Sequence, residues 1–174
     1  MYLEEKKELV EYGKKMSAEG LSSGTSGNLS IYLKEEGVVL ITPSGIGYFD
    51  TTPEDIVVMD LEGNIIEGTR KPSSEWHLHT LFYKNKPEAR AVVHTHSKFC
   101  TTLATLRMPI KAVHYVIADA GTNEVPCAPY RRYGTEELAK VAVESAKESN
   151  AVLLANHGIV VCGKNLKSAY GLAK

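Results

Sequence analysis

Leu9, Tyr12, Gly13 and Met16 recur at helical spacing, which predicts an amphipathic first helix ending near residue 19. The periodicity breaks at Gly20-Leu21-Ser22-Ser23-Gly24-Thr25-Ser26-Gly27-Asn28, a stretch too rich in glycine and serine to stay helical. Short β-prone runs follow at 29–33, 38–42 and 56–60, and Glu62-Gly63-Asn64 reads as the turn of a hairpin returning through Ile65-Ile66-Glu67. Beyond Pro72, Ser73 and Ser74 offer capping hydroxyls to a helix running towards Lys86, with Leu78, Leu81 and Phe82 as its apolar stripe. Ala91-Val92-Val93-His94 reads as a buried strand, followed by a short helix at 99–106. Thr135 caps the next helix, with Glu136 and Glu137 at its positive end and Leu138, Val141 and Ala142 facing inward. Runs 151–154 and 159–161 are strands flanking Asn156-His157-Gly158, and a last helix begins at Asn165 and stops without a C-cap. Irregular alternation with an early hairpin predicts a single α/β domain over 1–174, a sandwich with a mixed or mainly antiparallel central sheet.

Composition then removes whole classes of function. With 43% apolar residues, 24% charged residues and a net charge of −1, the chain lacks the basic surplus a nucleic-acid partner requires. No apolar run is long enough to span a bilayer, and the charged N-terminus lacks a secretory signal. Cys100, Cys127 and Cys162 are scattered and odd in number, which suits a reducing cytoplasm better than a disulfide framework.

The candidate chemistry lies in the histidines. His94 and His96 end a strand, where side chains two apart share a face, so both imidazoles can reach one ion. His77 and His79 have the same spacing on a helix and therefore point apart. Three protein ligands with an open position is the pattern of catalytic zinc, and His157, between two strands and beside Gly158, is the best remaining third ligand. His114 reads as a satisfied core histidine. Glu75, three and seven residues before Leu78 and Phe82, falls on the inward stripe of its helix. It is either an N-terminal acid favoured by the helix dipole or an acid–base group beside the metal, able to ligate it in the resting state. His79 shares that stripe and could compete as a ligand, but it reads as structural, for example as a hydrogen-bond partner. Three segments suit an anion: Gly24-Thr25-Ser26-Gly27-Asn28, Thr42-Pro43-Ser44-Gly45, and Ser73-Ser74 at a helix start. None matches a nucleotide fingerprint.

From Gly24 onward these motifs, in order, resemble the class II aldolase/adducin family. They are Gly-Thr-Ser-Gly-Asn, Ile41-Thr42-Pro43-Ser44-Gly45, Pro72-Ser73-Ser74-Glu75-Trp76, Val92-Val93-His94-Thr95-His96, His114-Tyr115, Cys127-Ala128-Pro129-Tyr130 and Asn156-His157-Gly158. The resemblance is greatest to the ketose-1-phosphate aldolases, with L-fuculose 1-phosphate as the implied substrate. It implies zinc on His94, His96 and His157, with Glu75 completing the resting site. The substrate phosphate would rest on Thr25, Asn28, Ser44, Gly45, Ser73 and Ser74. The implied reaction yields dihydroxyacetone phosphate and L-lactaldehyde through a zinc-stabilised enediolate, with Glu75 as acid–base group and Asn28 as oxyanion donor. It further implies a central antiparallel sheet flanked by helices and a homotetramer with active sites at subunit borders, where Tyr115 reaches the neighbouring site. Family aldolases continue with more helix and a tail bearing another tyrosine, so a chain stopping at Lys174 is expected to be cut short or to belong to a shorter branch. The alternatives are a pentulose-5-phosphate 4-epimerase, which usually places Asp where Glu75 stands, and a non-catalytic adducin-like scaffold, which lacks the metal histidines. Rhamnulose-phosphate aldolase and methylthioribulose-phosphate dehydratase are less similar around Ser73 to Trp76 and Tyr115.

Overall fold

The computed structural model describes all of residues 1–174. In chain order the elements are α1 (Leu3–Ala18), β1 (Asn28–Leu33), β2 (Val38–Ile41), β3 (Val57–Met59), β4 (Ile65–Glu67), α2 (Trp76–Asn85) and β5 (Ala91–Thr95). Then come α3 (Lys98–Thr105), β6 (Ile110–Lys111), β7 (Glu124–Val125), β8 (Cys127–Ala128), α4 (Glu136–Ala146), β9 (Ala151–Leu154), β10 (Gly158–Gly163) and α5 (Leu166–Ala173). Every β-prone run of the sequence joins one sheet of eight strands in the order β4-β3-β2-β1-β5-β10-β9-β8. Its pairings are antiparallel except β8 with β9, which run parallel. The mainly antiparallel α/β sandwich is therefore what forms. The two-residue strands β6, β7 and β8 and the 3₁₀ turns Pro53–Asp55 and Tyr115–Ala120 are additions too short to show a period.

Alternation along the central strands sorts side chains to two cores. Leu29, Ile31, Leu40 and Val93 pack on one side with Leu9 and Met16 of α1 and Leu166, Ala169 and Tyr170 of α5. Val39, Ile41, Val92 and Val160 pack on the other with Leu78 and Phe82 of α2 and Leu138 and Ala142 of α4. Burial of side chains of this size contributes about 1.5–3 kcal/mol each, which makes these two layers the main source of stability. Surface ties are few but specific. The nearly buried Lys6 ammonium meets Glu67 at 2.6 Å, fastening α1 to β4, and Tyr170 donates to Glu19 at 2.9 Å, fastening α5 to α1.

Two caps differ in kind. Thr135 accepts a hydrogen bond from the Leu138 amide as its sequence predicts. Ser73 and Ser74 do not cap α2. The N-cap is Glu75, because the Ser73 carbonyl accepts from the Trp76 amide and the Ser73 hydroxyl from the Glu75 amide in a tight turn that delays the helix. His114 is exposed, not a core residue, and its Nδ1 accepts from the Val116 amide at 3.4 Å. It caps the start of a 3₁₀ turn whose first residues, Tyr115 and Val116, are themselves exposed.

Candidate metal centre and substrate cavity

Strand register assembles the centre. In the antiparallel ladder Asn28 of β1 stands opposite His94 of β5, and Val160 of β10 opposite His94 on the other side. Opposite residues share a face, so Asn28 and His94 point together towards the α2 side. His96 lies just beyond β5 and is held by its own amide, which donates to Ser22 Oγ at 3.2 Å. His157 lies just before β10. Gly158 follows it because a Cβ there would collide with the Thr95 carbonyl, so the two ligand-bearing segments approach as closely as backbone allows. Glu75, at the start of α2, closes the group from above.

Three imidazoles meet pairwise edge to face, with centroids 4.8, 4.7 and 4.9 Å apart. His94 Nε2 is 3.0 Å from His96 Nε2 and 3.2 Å from Glu75 Oε2, and His157 Nε2 is 3.3 Å from Glu75 Oε1. All four ligand atoms lie within 4.8 Å of one another. His94 Nδ1 faces the Ile159 carbonyl at 2.9 Å. A carbonyl only accepts, so the Nδ1 proton is committed there and Nε2 is the nitrogen free to take an ion. Glu75 Oε1 is buried without a hydrogen bond although an imidazole nitrogen stands beside it. An uncompensated buried carboxylate oxygen costs roughly 1–3 kcal/mol or more, and a cation between the rings removes that cost. Three nitrogens and one carboxylate oxygen suit a divalent ion such as zinc.

Electrostatics point the same way. Burial pushes the Glu75 carboxyl up, but the adjacent His94 and His157 rings and the Asn28 hydrogen bond hold it well below the usual carboxylate range. Burial pushes His94 down, and the Glu75 carboxylate more than reverses this, so its pKa is raised. Burial and then the neighbouring His94 charge push His96 and His157 down to about 4. Proton affinity in the centre is therefore drawn towards His94, beside the Glu75 carboxylate, and away from the other two rings.

Over this centre opens a cavity of about 520 Å³ lined by Thr25, Asn28, Ser44, Gly45, Ser73, Ser74, Glu75, His96 and His157 among others. All three anion-suited segments therefore reach one space. Their meeting has a backbone cause: Ser73 donates to the Thr42 carbonyl and Ser44 to the Lys71 carbonyl, each at 3.0 Å, which lays the second segment against the third. The first segment turns at Gly27, φ +74°, where a Cβ would stand 2.5 Å from Ser22 Oγ. Tyr48 fixes that turn by donating to the Gly27 carbonyl at 2.7 Å. Gly13 of α1 leaves room for the Tyr48 ring, 2.5 Å from where its Cβ would be. Tyr115 is 83% exposed on the 3₁₀ turn and is not among the cavity residues of its own chain.

Sequence reasoning assigned no role to Tyr130, Arg131, Tyr133 or Asn156, all of which line the cavity. Gly134, φ +73°, brings the loop of the first three against the Ser74 carbonyl, 3.1 Å from a hypothetical Cβ, while Asn156 lies on the turn between β9 and β10. Tyr130 closes one of the motifs quoted above and Asn156 opens another, the only signals that pointed to these residues. Arg131 is the sole lysine or arginine around the cavity. His79, weighed as a competing ligand, is fully buried behind Glu75 and bonded to Asn28 and Ser30 instead.

Fold and site together define an α/β domain with a potential divalent-metal centre beneath a hydroxyl- and glycine-lined cavity. Residues 7–174 match the family described as Class II Aldolase and Adducin N-terminal domain, and the chain belongs to that family. It is 48% identical over 170 residues to a 5-deoxy-D-ribulose 1-phosphate aldolase of Bacillus thuringiensis serovar kurstaki, covering 98% of this chain and 79% of the relative. It is 45% identical to an L-fuculose phosphate aldolase of Haemophilus influenzae, covering 91% of this chain and 72% of the relative. A solved L-fuculose 1-phosphate aldolase superposes with a TM-score of 0.95 at 45% identity, covering 98% of this chain and 80% of that one. The protein is accordingly a carbon–carbon lyase of the class II aldolase type. No helix is long and apolar enough to cross a membrane.

Proposed function

We propose that this protein is a zinc-dependent, cytoplasmic aldolase that reversibly cleaves L-fuculose 1-phosphate into dihydroxyacetone phosphate and L-lactaldehyde. The observation that carries the reading is the convergence of His94, His96, His157 and Glu75 within 4.8 Å at the floor of the cavity. These four would hold the ion. When bound it supplies Lewis acidity, drawing electron density from the substrate ketone and adjacent hydroxyl.

The chain's own groups account for the rest. Backbone and hydroxyl donors of Thr25, Asn28, Ser44, Gly45, Ser73 and Ser74 bind the phosphate and so orient C3 towards Glu75. Cleavage breaks C3–C4 and leaves the electron pair on C3; Glu75, freed from its ligand role, delivers a proton to that carbon. In the reverse direction Glu75 removes it. The Asn28 amide donates to the oxygen on which negative charge develops. Tyr115 from a neighbouring subunit of a homotetramer exchanges the proton of the aldehyde oxygen.

A second substrate is favoured by the Bacillus relative, whose name is for 5-deoxy-D-ribulose 1-phosphate. The same bond cleavage would then release acetaldehyde in place of lactaldehyde. The reading is tested by incubating the metal-loaded protein with both 1-phosphates and with L-ribulose 5-phosphate. Dihydroxyacetone phosphate from a 1-phosphate supports it, and the faster substrate names the aldehyde. Epimerised pentulose without release selects the epimerase, and silence across the panel leaves a scaffold.

A further inference from the structure

From Glu75 and Asn28 at the cavity wall, five buried polar side chains form one continuous chain that leads inward beneath α2. Asn28 Nδ2 donates to Glu75 Oε2 at 3.1 Å; Asn28 Oδ1 meets His79 Nε2 at 2.5 Å; His79 Nδ1 meets Ser30 Oγ at 2.6 Å; and Ser30 Oγ meets Tyr83 Oη at 2.6 Å. None of the five is more than 7% exposed, and His79 and Ser30 are fully buried. Tyr83, at the far end, is stacked on Tyr32 with centroids 4.9 Å apart. Nothing in the metal centre requires this run, and buried polar groups are costly unless each is paired.

One end dictates every hydrogen. An ionised Glu75 only accepts, so Asn28 presents its NH₂ to it. The Asn28 carbonyl then needs a donor, which makes His79 Nε2 the protonated nitrogen. His79 Nδ1 must therefore accept from the Ser30 hydroxyl, and Ser30 accepts from Tyr83. Burial pushes His79 down to about 3, which keeps the ring neutral and this single tautomer available. An amide has no proton to pass on, so the run cannot serve as a proton wire between Tyr83 and Glu75. Its capacity is orientation.

We propose that His79 is a positioning residue: by donating to Asn28 Oδ1 it keeps the Asn28 amide turned towards Glu75 and so aims the carboxylate. The proposal rests on Glu75 being the acid–base group of the reaction above. It gives a purpose to a fully buried histidine four residues from Glu75 that is not a ligand.

Two substitutions separate orientation from bulk. Glutamine carries an N–H about as far out as Nε2, whereas asparagine reaches only about as far as Nδ1. In zinc-loaded, ¹⁵N-labelled protein the Asn28 side-chain amide, identified by its loss in Asn28→Ala, is expected at one position in the parent and in His79→Gln. In His79→Asn it is expected to move or broaden, with bound zinc retained. kcat is expected to stay within about threefold in His79→Gln and to fall tenfold or more in His79→Asn, in the range for residues that orient a ligand. In an Asn28→Ala background, His79→Asn should cost less than about twofold further, because a group acting through Asn28 has nothing left to hold. An unmoved amide signal, or losses that simply multiply, would overturn the proposal. If His79→Asn does not fold, Ser30→Ala removes the donor to Nδ1 with little lost volume, and an unshifted Asn28 signal there overturns it equally. The amide signal needs no substrate, so absence of lyase activity would sink the proposed reaction without touching this result.

Discussion

Along β1, Leu29 and Ile31 enter an apolar core shared with α1 and α5, while Asn28 and Ser30 on the opposite face join a buried polar run beneath α2. β5 repeats the division, with Val93 on one side and His94 on the other. The same few residues of strand thus hold a layer that needs only volume and a layer that needs direction. The apolar layer gains stability with every buried methylene. The polar layer spends some of it: His79 and Ser30 are fully buried and tolerable only because each atom has a partner, and Glu75 Oε1 still lacks one. A fold that places both on one strand can be tested face by face.

The largest effect should come from emptying the polar face. Chelation is expected to abolish lyase activity, and zinc or cobalt to restore it; full turnover in protein shown by elemental analysis to be metal-free would remove the metal from the reaction. Next in size is Glu75→Gln, expected to keep zinc and lower kcat by about 10²–10⁴-fold, the usual worth of a general base. An unchanged turnover number would take Glu75 out of the chemistry. On the apolar face, Leu9→Ala should cost roughly 2–5 kcal/mol of unfolding free energy through the void it leaves, with kcat per folded molecule unchanged. If that variant instead lost zinc at constant fold, the two faces would not be independent.

The smallest effect is one of pH, measured by thermal unfolding of the metal-free protein. His79, His96 and His157 stay neutral in the fold down to about 3, 4 and 4, whereas the unfolded chain takes up protons near 6.5. The unfolded state then binds more protons, so stability falls as pH drops below that value. Glu75, held below its ordinary pKa of 4.5, adds stability that is present above that value and lost on further acidification. His94, whose pKa is raised, works in the opposite direction and offsets part of the loss. The midpoint should decline steadily from pH 7 to pH 4, and a flat profile would mean that these rings are not held as described.

The apolar face was the more legible in sequence, because alternation and helical spacing are local signals. Leu29, Leu40, Val93 and Leu153 declare their strands within a few neighbours. His94 and His96 were readable for the same reason, since a two-residue spacing on a strand is itself local. Glu75 was read as a helix residue on an inward stripe, whereas it precedes the helix and is placed by the turn beginning at Ser73. His79 was read as structural rather than as a ligand, but its partners lie 51 and 49 residues away and carried no local signal. Tyr130, Arg131 and Tyr133 sit on a loop without periodicity, and only the tertiary contact of Gly134 with Ser74 brings them to the cavity. His114 shows the reverse error, since no local feature distinguishes a core histidine from one on a surface turn.

The carbonyl that faces His94 Nδ1 belongs to the main chain of β10, and Val160, the next residue, stands opposite His94 in the ladder. Main-chain atoms survive any side-chain replacement. A designer who rebuilds the cavity rim at Tyr130, Arg131 or Tyr133 to admit new aldehydes therefore works on a support whose polarity no codon change at Ile159 can erase. Only an insertion, a deletion or a slipped strand reaches it, which makes this half of the site the natural place to leave untouched.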